Sequence, residues 1–174
     1  MNKVLLISGS NRRGNTEYLL SKLKELIKNS ELLLLREKKI EFCKGCLYCH
    51  NKENCIIKDD MGSILDSIVA SDYIIFGVPN YFDNVSGIFK NFIDRLHPLY
   101  KSEKIKNKKV IFLFIGGGKV SGTATTMHES IQGMVKYLQL DVRKEYSFQA
   151  LNINDIKKDI VDSFLEEIKD LVEQ

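Results

Sequence analysis

The chain has no cysteine outside residues 43–55, no long apolar run and no concentrated cluster of basic residues. Its first apolar run covers only residues 4–7, too short for the core of a secretory signal, and nowhere do about 18 apolar residues follow one another. The net charge of +3 comes from lysines and acids mixed along the chain, whereas nucleic-acid binding needs a basic patch. We therefore expect a cytoplasmic protein that binds neither membranes nor nucleic acid.

The composition is that of one globular domain spanning residues 1–174, because 44% of the residues are hydrophobic and 28% are charged. Five short strand-like runs alternate with five segments of helical periodicity. The strand-like runs are "KVLLIS", "LLLLR", "DYIIFG", "KVIFLFI" and "DVRKEYSF". Continuous apolar runs are typical of parallel strands covered on both faces. The pattern predicts an α/β, flavodoxin-like, doubly wound five-stranded parallel sheet of order 2-1-3-4-5, with its ligand site at the carboxyl ends of the strands.

One connection is much longer than the usual two to six residues of such loops. Residues 36–60, after the second strand, form a cysteine-rich insertion that holds all four thiols in "CKGCLYCHNKENC". In a reducing cytoplasm, clustered cysteines favour metal binding or redox chemistry over a disulfide scaffold. From the residues alone, a zinc site, a redox dithiol and an iron–sulfur cluster all remain open.

Three loops follow the first, third and fourth predicted strands, so they meet at one edge of the sheet. "SGSNRRGNT" offers small residues, positive charge and a helix start, which together favour an anion. It is neither a P-loop nor a G-x-G-x-x-G dinucleotide motif. "GVPNYFDNVSG" supplies planar side chains, and "GGGKVSGT" lets a flat ligand approach the backbone. A phosphate pocket, an aromatic wall and a glycine floor suit FMN.

Three segments resemble the NADPH-dependent FMN reductase superfamily and, within it, the iron–sulfur flavoproteins: "GSNRRGNT", "PNYFDNVSGIFKNFIDR" and the cysteine segment that runs on into "IIKDDM". The resemblance implies three groups of FMN-binding residues. The first group would bind the phosphate: Ser8, Ser10, Arg12, Asn15 and Thr16. The second would hold the isoalloxazine: Pro79, Asn80, Tyr81, Phe82 and Asn84. The third would lie against the ring: Gly116, Gly117 and Gly118.

The same resemblance implies a [4Fe–4S] cluster held by Cys43, Cys46, Cys49 and Cys55, whose spacing C-x2-C-x2-C-x5-C fits the iron–sulfur flavoprotein pattern. Two-residue spacings can wrap consecutive thiolates around one side of a cubane, whereas zinc sites usually join two separated knuckles. Zinc and a metal-free thiol segment remain the alternatives. We interpret His50 as a polar loop residue, since four thiols are available. We expect Asp94 and Arg95 to form solvated or intersubunit ion pairs.

The function that follows is that of an FMN-dependent oxidoreductase passing electrons between the cluster and FMN. The acceptor would be a quinone, an oxygen species or another small molecule, the donor ferredoxin or NAD(P)H, and the assembly a homodimer or homotetramer. Two alternatives are an NAD(P)H-dependent FMN or quinone reductase without a cluster and a non-enzymatic, flavodoxin-like electron carrier. No residue is singled out as a catalytic acid or base.

Overall fold

A computed structural model of the chain describes residues 1–50, 52, 54–153 and 155–174. Asn51 and Glu53, inside the predicted cysteine insertion, lie outside the described residues. Five parallel strands form the sheet in the order β2-β1-β3-β5-β6. They are β1 Val4–Ser8, β2 Ser30–Leu34, β3 Tyr73–Tyr81, β5 Lys109–Gly116 and β6 Asp141–Gln149. The predicted flavodoxin-like sheet and its strand order are confirmed, with the numbering changed only because a short β4 precedes the last two strands.

The helices cover both faces of the sheet: α1 Asn15–Leu26, α2 Met61–Ala70, α3 Gly87–Asp94, α4 Val120–Leu138 and α5 Lys158–Glu173. Successive side chains of β1 enter different cores because a strand alternates its faces. Leu5 and Ile7 pack with residues of α2, α3 and α4, and Val4 and Leu6 pack with residues of α1 and α5. No helix in the described part of the chain has both the length and the apolar character needed to cross a membrane.

A two-residue strand, β4 Asn84–Val85, pairs antiparallel with the end of β3 and was not predicted. The turn between them contains Phe82 at φ 52° and Asp83 at φ 54°. Two consecutive positive φ angles match the tight hairpin turn whose twist fits its flanking strands. A bulky residue rarely adopts this conformation. The turn holds the Phe82 side chain fully in solvent.

The cysteine insertion lies between β2 and α2. Its described part contains two short 3-10 turns, Leu35–Glu37 and Tyr48–His50. A third 3-10 turn, His97–Leu99, follows α3 and contacts the second. The insertion therefore lies against the end of α3.

Candidate functional site

A cleft of about 150 Å³ opens at the carboxyl ends of the strands. Four segments line it, those that follow β1 and β6 and the last residues of β3 and β5. The lining residues are Ser10, Arg12, Gly14, Asn15, Thr16, Pro79, Asn80, Tyr81, Ile115, Gly116, Gly117, Ala150 and Leu151. The cleft is smaller than the roughly 300–1,000 Å³ of a drug-sized ligand site. It has room for the phosphate end of a nucleotide, so a flavin ring would extend over the open side.

The loop after β1 is built to receive an anion. The Ser10 hydroxyl donates to the Arg12 carbonyl at 2.9 Å and accepts from the Arg12 amide at 3.3 Å, which curls the loop back on itself. Among the described residues no side chain caps the start of α1 after Gly14, so the amides of its first turn are available to an anion. Asn15 and Thr16 are buried there. These residues fit a phosphate group.

Ser8 lies behind this cradle and not on its surface. Its side chain is fully buried, and its hydroxyl accepts from the Ser10 amide at 3.4 Å. Ser8 therefore shapes the loop from within, and a direct contact with phosphate stays a prediction.

The predicted aromatic loop divides between the cleft and the solvent. Pro79, Asn80 and Tyr81 line the cleft, and the Asn80 amide donates to Asp83 Oδ1 and Thr123 Oγ1, each at 3.4 Å. Phe82 and Asn84 are exposed and do not line it. The hairpin thus presents one aromatic ring to the cleft and a second to the solvent.

The glycine segment packs against the protein's own side chains. A Cβ at Gly116 would lie 2.9 Å from the Cβ of Asn80, and one at Gly117 would overlap the end of Leu151. Gly118 lies outside the cleft lining. Gly116 and Gly117 nevertheless line the cleft, and the approach of a flat ligand to this segment stays a prediction.

Sequence reasoning missed the contribution of the segment after β6. Leu151 accepts from Arg12 Nη2 through its carbonyl at 3.2 Å. The amides of Leu151 and Asn152 both donate to Asp155 Oδ2, at 2.8 and 2.7 Å. The sequence does contain a signal for this segment: the fifth parallel strand must end at the same edge as the other four, so the residues after it also lie near the cleft.

All four cysteines lie on the insertion, between Cys43 and Cys55. Cys43 and Cys46 are exposed, and Cys49 and Cys55 are partly buried. Burial raises the pKa of the Cys49 thiol, and smaller contributions from Cys55, Cys43 and Cys46 act in the same direction. Soft thiolates suit zinc or an iron–sulfur cluster. Among the described residues no three Cys, His, Asp or Glu side chains are already grouped to hold a metal ion. The donor set fits a cluster that draws the thiols together.

Two histidines lie beside Cys49. The Cys49 sulfur is 3.5 Å from His97 Nδ1, and His97 Nε2 is 3.2 Å from His50 Nε2. The two imidazole rings stack with centroids 4.6 Å apart. His50 therefore joins the insertion to the turn after α3, a contact that its sequence neighbours did not indicate.

The prediction for Arg95 was wrong, because its side chain is neither solvated nor placed at a surface. Only 1% of Arg95 is exposed, and its guanidinium binds Asp59 with two bonds of 2.6 and 3.0 Å. Asp94 instead pairs with Lys90 on the exposed side of α3. Burial alone would raise the pKa of Asp59, but hydrogen bonds from Arg95 and from the Glu41 and Met61 amides hold it below its ordinary value.

The doubly wound parallel sheet, with a cradle for an anion and an aromatic hairpin at its carboxyl edge, defines a flavodoxin-like protein. Residues 2–150 match the NADPH-dependent FMN reductase family, and the chain belongs to that family of flavin-dependent reductases.

Several curated proteins named iron-sulfur flavoprotein are similar to this chain. The chain is 41% identical over 97 residues to an iron-sulfur flavoprotein of Archaeoglobus fulgidus, covering 53% of this chain and 48% of that one. It is 37% identical over 126 residues to an iron-sulfur flavoprotein of Methanocaldococcus jannaschii, covering 69% of this chain and 64% of that one. A second protein of that name and organism is 34% identical over 132 residues, covering 73% and 68%. The alignments thus span about half to two thirds of these relatives.

Solved structures share the fold at low sequence identity. An NAD(P)H:quinone oxidoreductase from Methanothermobacter marburgensis superposes with a TM-score of 0.76 at 14% identity, covering 98% of this chain and 96% of that one. The Trp repressor binding protein from Bacillus subtilis superposes with a TM-score of 0.70 at 19% identity, covering 98% and 97%.

Proposed function

We propose that this protein is an FMN-dependent oxidoreductase in which Cys43, Cys46, Cys49 and Cys55 hold a [4Fe–4S] cluster that exchanges electrons with FMN in the cleft. When bound, the flavin handles electrons singly or in pairs and the cluster handles them singly. The proposal includes a small acceptor such as a quinone or an oxygen species, ferredoxin or NAD(P)H as donor, and a cytoplasmic homodimer or homotetramer.

The observation that carries the proposal is that α3 joins the two candidate sites. The helix begins directly after the aromatic hairpin, where the Ser86 hydroxyl caps it by accepting from the Phe89 amide at 3.2 Å. At its far end Arg95 binds Asp59, next to the cysteines. A helix of eight residues is about 12 Å long. The cysteine segment is thus tied to the same rigid element as the flavin hairpin.

The residues have separate tasks in this proposal. Ser10, Arg12 and the first turn of α1 would bind the flavin phosphate, and Tyr81 would cover the ring from the hairpin. The buried strands beneath the cleft exclude water from one side of the site. None of these residues needs to exchange a proton with a substrate for electron transfer to occur.

One observation favours a second candidate, an NAD(P)H-dependent FMN or quinone reductase without a cluster. Cys43 and Cys46 are exposed, and the described thiols are not pre-arranged as a metal site. In that case the insertion would be a thiol or zinc loop beside an otherwise complete flavin cleft.

Anaerobic purification followed by a visible spectrum, with iron, sulfide and flavin assayed on the same sample, separates the two candidates. We expect one FMN and about four irons per chain in the wild type, and FMN without iron in Cys46→Ser. Lys44→Ala, an exposed neighbour in the same segment, should keep both. A wild-type protein with FMN, no iron and NADPH turnover unchanged by Cys46→Ser would establish the cluster-free reductase instead.

A further inference from the structure

The base of the cysteine segment is closed by hydrogen bonds between its two ends. The Lys39 amide donates to Asp60 Oδ2 at 2.7 Å, and the Asp60 amide donates back to the Lys39 carbonyl at 3.1 Å. Next to them the Glu41 amide donates to Asp59 Oδ2 at 2.9 Å. All four cysteines therefore lie on a loop whose two ends are held side by side, which we call the neck, residues 39–41 and 59–61.

The Arg95 side chain links this neck to the end of α3 through hydrogen bonds. Its Nη1 donates to Asp59 Oδ2 and to the Glu41 carbonyl, both at 2.6 Å, and its Nη2 donates to Asp59 Oδ1 at 3.0 Å. One side chain thus holds both ends of the loop. The Arg95 and Asp59 side chains are 1% and 0% exposed, so the pair is desolvated and geometrically specific. Asn91 adds a second tie from α3, donating to the Ile40 carbonyl at 2.9 Å.

One nitrogen of the guanidinium, Nε, is buried and makes no hydrogen bond to the described residues. A buried unpaired donor is costly. Burial alone would lower the pKa of Arg95, but Asp59, with a smaller contribution from the nearby Cys55 thiol, raises it above its ordinary value. Cys55 is the thiol that interacts with the Arg95 guanidinium, and Nε is the guanidinium nitrogen that has no hydrogen bond to the described residues.

We infer that Arg95 is a positioning residue for the cysteine segment: its fork fixes the neck through Asp59 and Glu41, and its Nε–H donates to the Cys55 sulfur when the cysteines hold the cluster. The inference rests on the proposed function and adds to it the residue that directly follows α3. A hydrogen bond and a positive charge beside a ligating sulfur stabilise the reduced, more negative cluster. Arg95 therefore raises the reduction potential of the cluster as well as retaining it.

The test needs variants that keep the fold. Arg95→Met alone would leave the Asp59 carboxylate buried without a partner, which is strongly destabilising. We therefore choose Arg95→Met combined with Asp59→Asn, which removes both charges, and Arg95→Lys, which keeps the positive charge but loses the fork. Arg36→Lys is the matched control, because Arg36 forms a largely buried pair with Glu17 at the start of the insertion and lysine keeps the positive charge there.

Redox titration of the intact, FMN-containing protein and the rate of iron release to a chelator are the measurements. We expect the double variant to show a lower cluster potential and to release iron at least tenfold faster than the wild type. A tenfold faster release corresponds to an activation free energy that is lower by about 1.4 kcal/mol. Arg95→Lys should release iron faster with a smaller shift in potential, and Arg36→Lys should match the wild type. A folded double variant with unchanged potential and unchanged iron release would overturn the inference.

Hydrogen exchange on metal-free protein keeps the two proposals distinguishable. The Lys39 and Asp60 amides should exchange faster in Arg95→Lys than in the wild type or Arg36→Lys, whether or not a cluster ever binds. A wild type that takes up no iron would overturn the proposed function and the role assigned to Nε. Unchanged exchange at the neck would overturn the role assigned to the fork.

Discussion

The flavin cleft and the cysteine segment differ in what holds their side chains in place. The cleft residues sit at the ends of strands whose backbones are paired on both sides, so β1, β3 and β5 fix their positions. The cysteines sit on an irregular loop that is fastened at its neck by two side chains of α3 and its end, Asn91 and Arg95. The first site exists before any ligand arrives, whereas the second has its anchor in place and its thiols still apart.

This difference means that binding a ligand requires less ordering of the protein at the cleft than at the cysteine segment. A preformed cleft costs little ordering when a nucleotide binds. A metal site on a loop must be assembled, and the binding free energy of the metal is then partly spent on ordering the loop. The buried ion pair at the neck reduces that cost because it fixes the loop ends in advance. Changes in either region should therefore have different consequences, which we order from the largest expected effect to the smallest.

Adding a methyl group at Gly77 should damage the cleft most. Gly77 lies in the middle of β3, between Ser8 of β1 and Leu113 of β5, and a Cβ there would lie 2.6 Å from Thr16 Cγ2 and 2.8 Å from Leu20 Cδ1. Gly77→Ala should therefore push α1 outward and lower the free energy of unfolding by about 1–3 kcal/mol. Denaturant unfolding and FMN titration measure the two losses.

The control for this change is Gly133→Ala. Gly133 lies on the exposed side of α4, and no atom lies within 4 Å of the place that an added methyl group would take. Alanine should stabilise that helix by roughly 0.5–1 kcal/mol. Equal stability of the two variants would show that α1 is not held against β3 as tightly as the contacts indicate.

Removing Arg12 should weaken FMN binding without unfolding the protein. The exposed Arg12 side chain lines the cleft beside the uncapped start of α1 and bridges to the Leu151 carbonyl. Arg12→Ala should raise the FMN dissociation constant by roughly tenfold, about 1.4 kcal/mol. Arg13→Ala, an exposed neighbour that does not line the cleft, should change it less than about twofold, within the range of ordinary surface substitutions. Similar losses in both variants, reduced in both at high salt, would instead indicate a diffuse charge effect.

The cysteine segment should show graded thiol reactivity in metal-free protein. Cys43 and Cys46 are exposed, whereas Cys49 is partly buried beside His97 and its thiol has a raised pKa, which reduces the reactive thiolate at neutral pH. Alkylation followed by mass spectrometry should therefore label Cys49 several-fold more slowly than Cys43 and Cys46. Uniform labelling would mean that the loop does not hold this arrangement in solution, and protection of all four in iron-loaded protein is the complementary control.

The parts of this structure that the sequence predicted are those with a local signal. Continuous apolar runs mark β1, β3 and β5 because both faces of those strands are covered. The loops that follow them then had to meet at one edge. The Arg95–Asp59 pair could not be predicted in this way, because its members are 36 residues apart and neither sits in an apolar pattern that marks burial. The hairpin at Phe82 was missed for a related reason, since its turn uses positive φ angles without the Asn-Gly or Gly-Gly residues that signal them.

The smallest expected effect concerns the segment that closes the cleft after β6. Hydrogen bonds from the amides of Asn152 and Leu151 hold the pKa of Asp155 below its ordinary value. A carboxyl group with a lowered pKa in the folded state gives stabilisation that is present above its unfolded pKa, about 3.9, and is lost as the pH falls through the folded pKa. The Leu151 and Asn152 amides should therefore stay protected from hydrogen exchange at about pH 5 and lose protection only as the pH falls through the lowered pKa of Asp155.

Asp155→Ala tests the same contact at neutral pH. Without the carboxylate, both amides should exchange quickly at every pH, and FMN affinity should fall by about two- to threefold, because Leu151 is no longer held against Arg12 and Gly117. Asp159→Ala, an exposed acid on the first turn of α5, is the matched control and should change neither quantity. Protection that persists in Asp155→Ala would mean that Leu151 is held by the strand end alone. The cleft would then depend on the backbone ladder throughout, which would sharpen its contrast with a cysteine loop held by side chains.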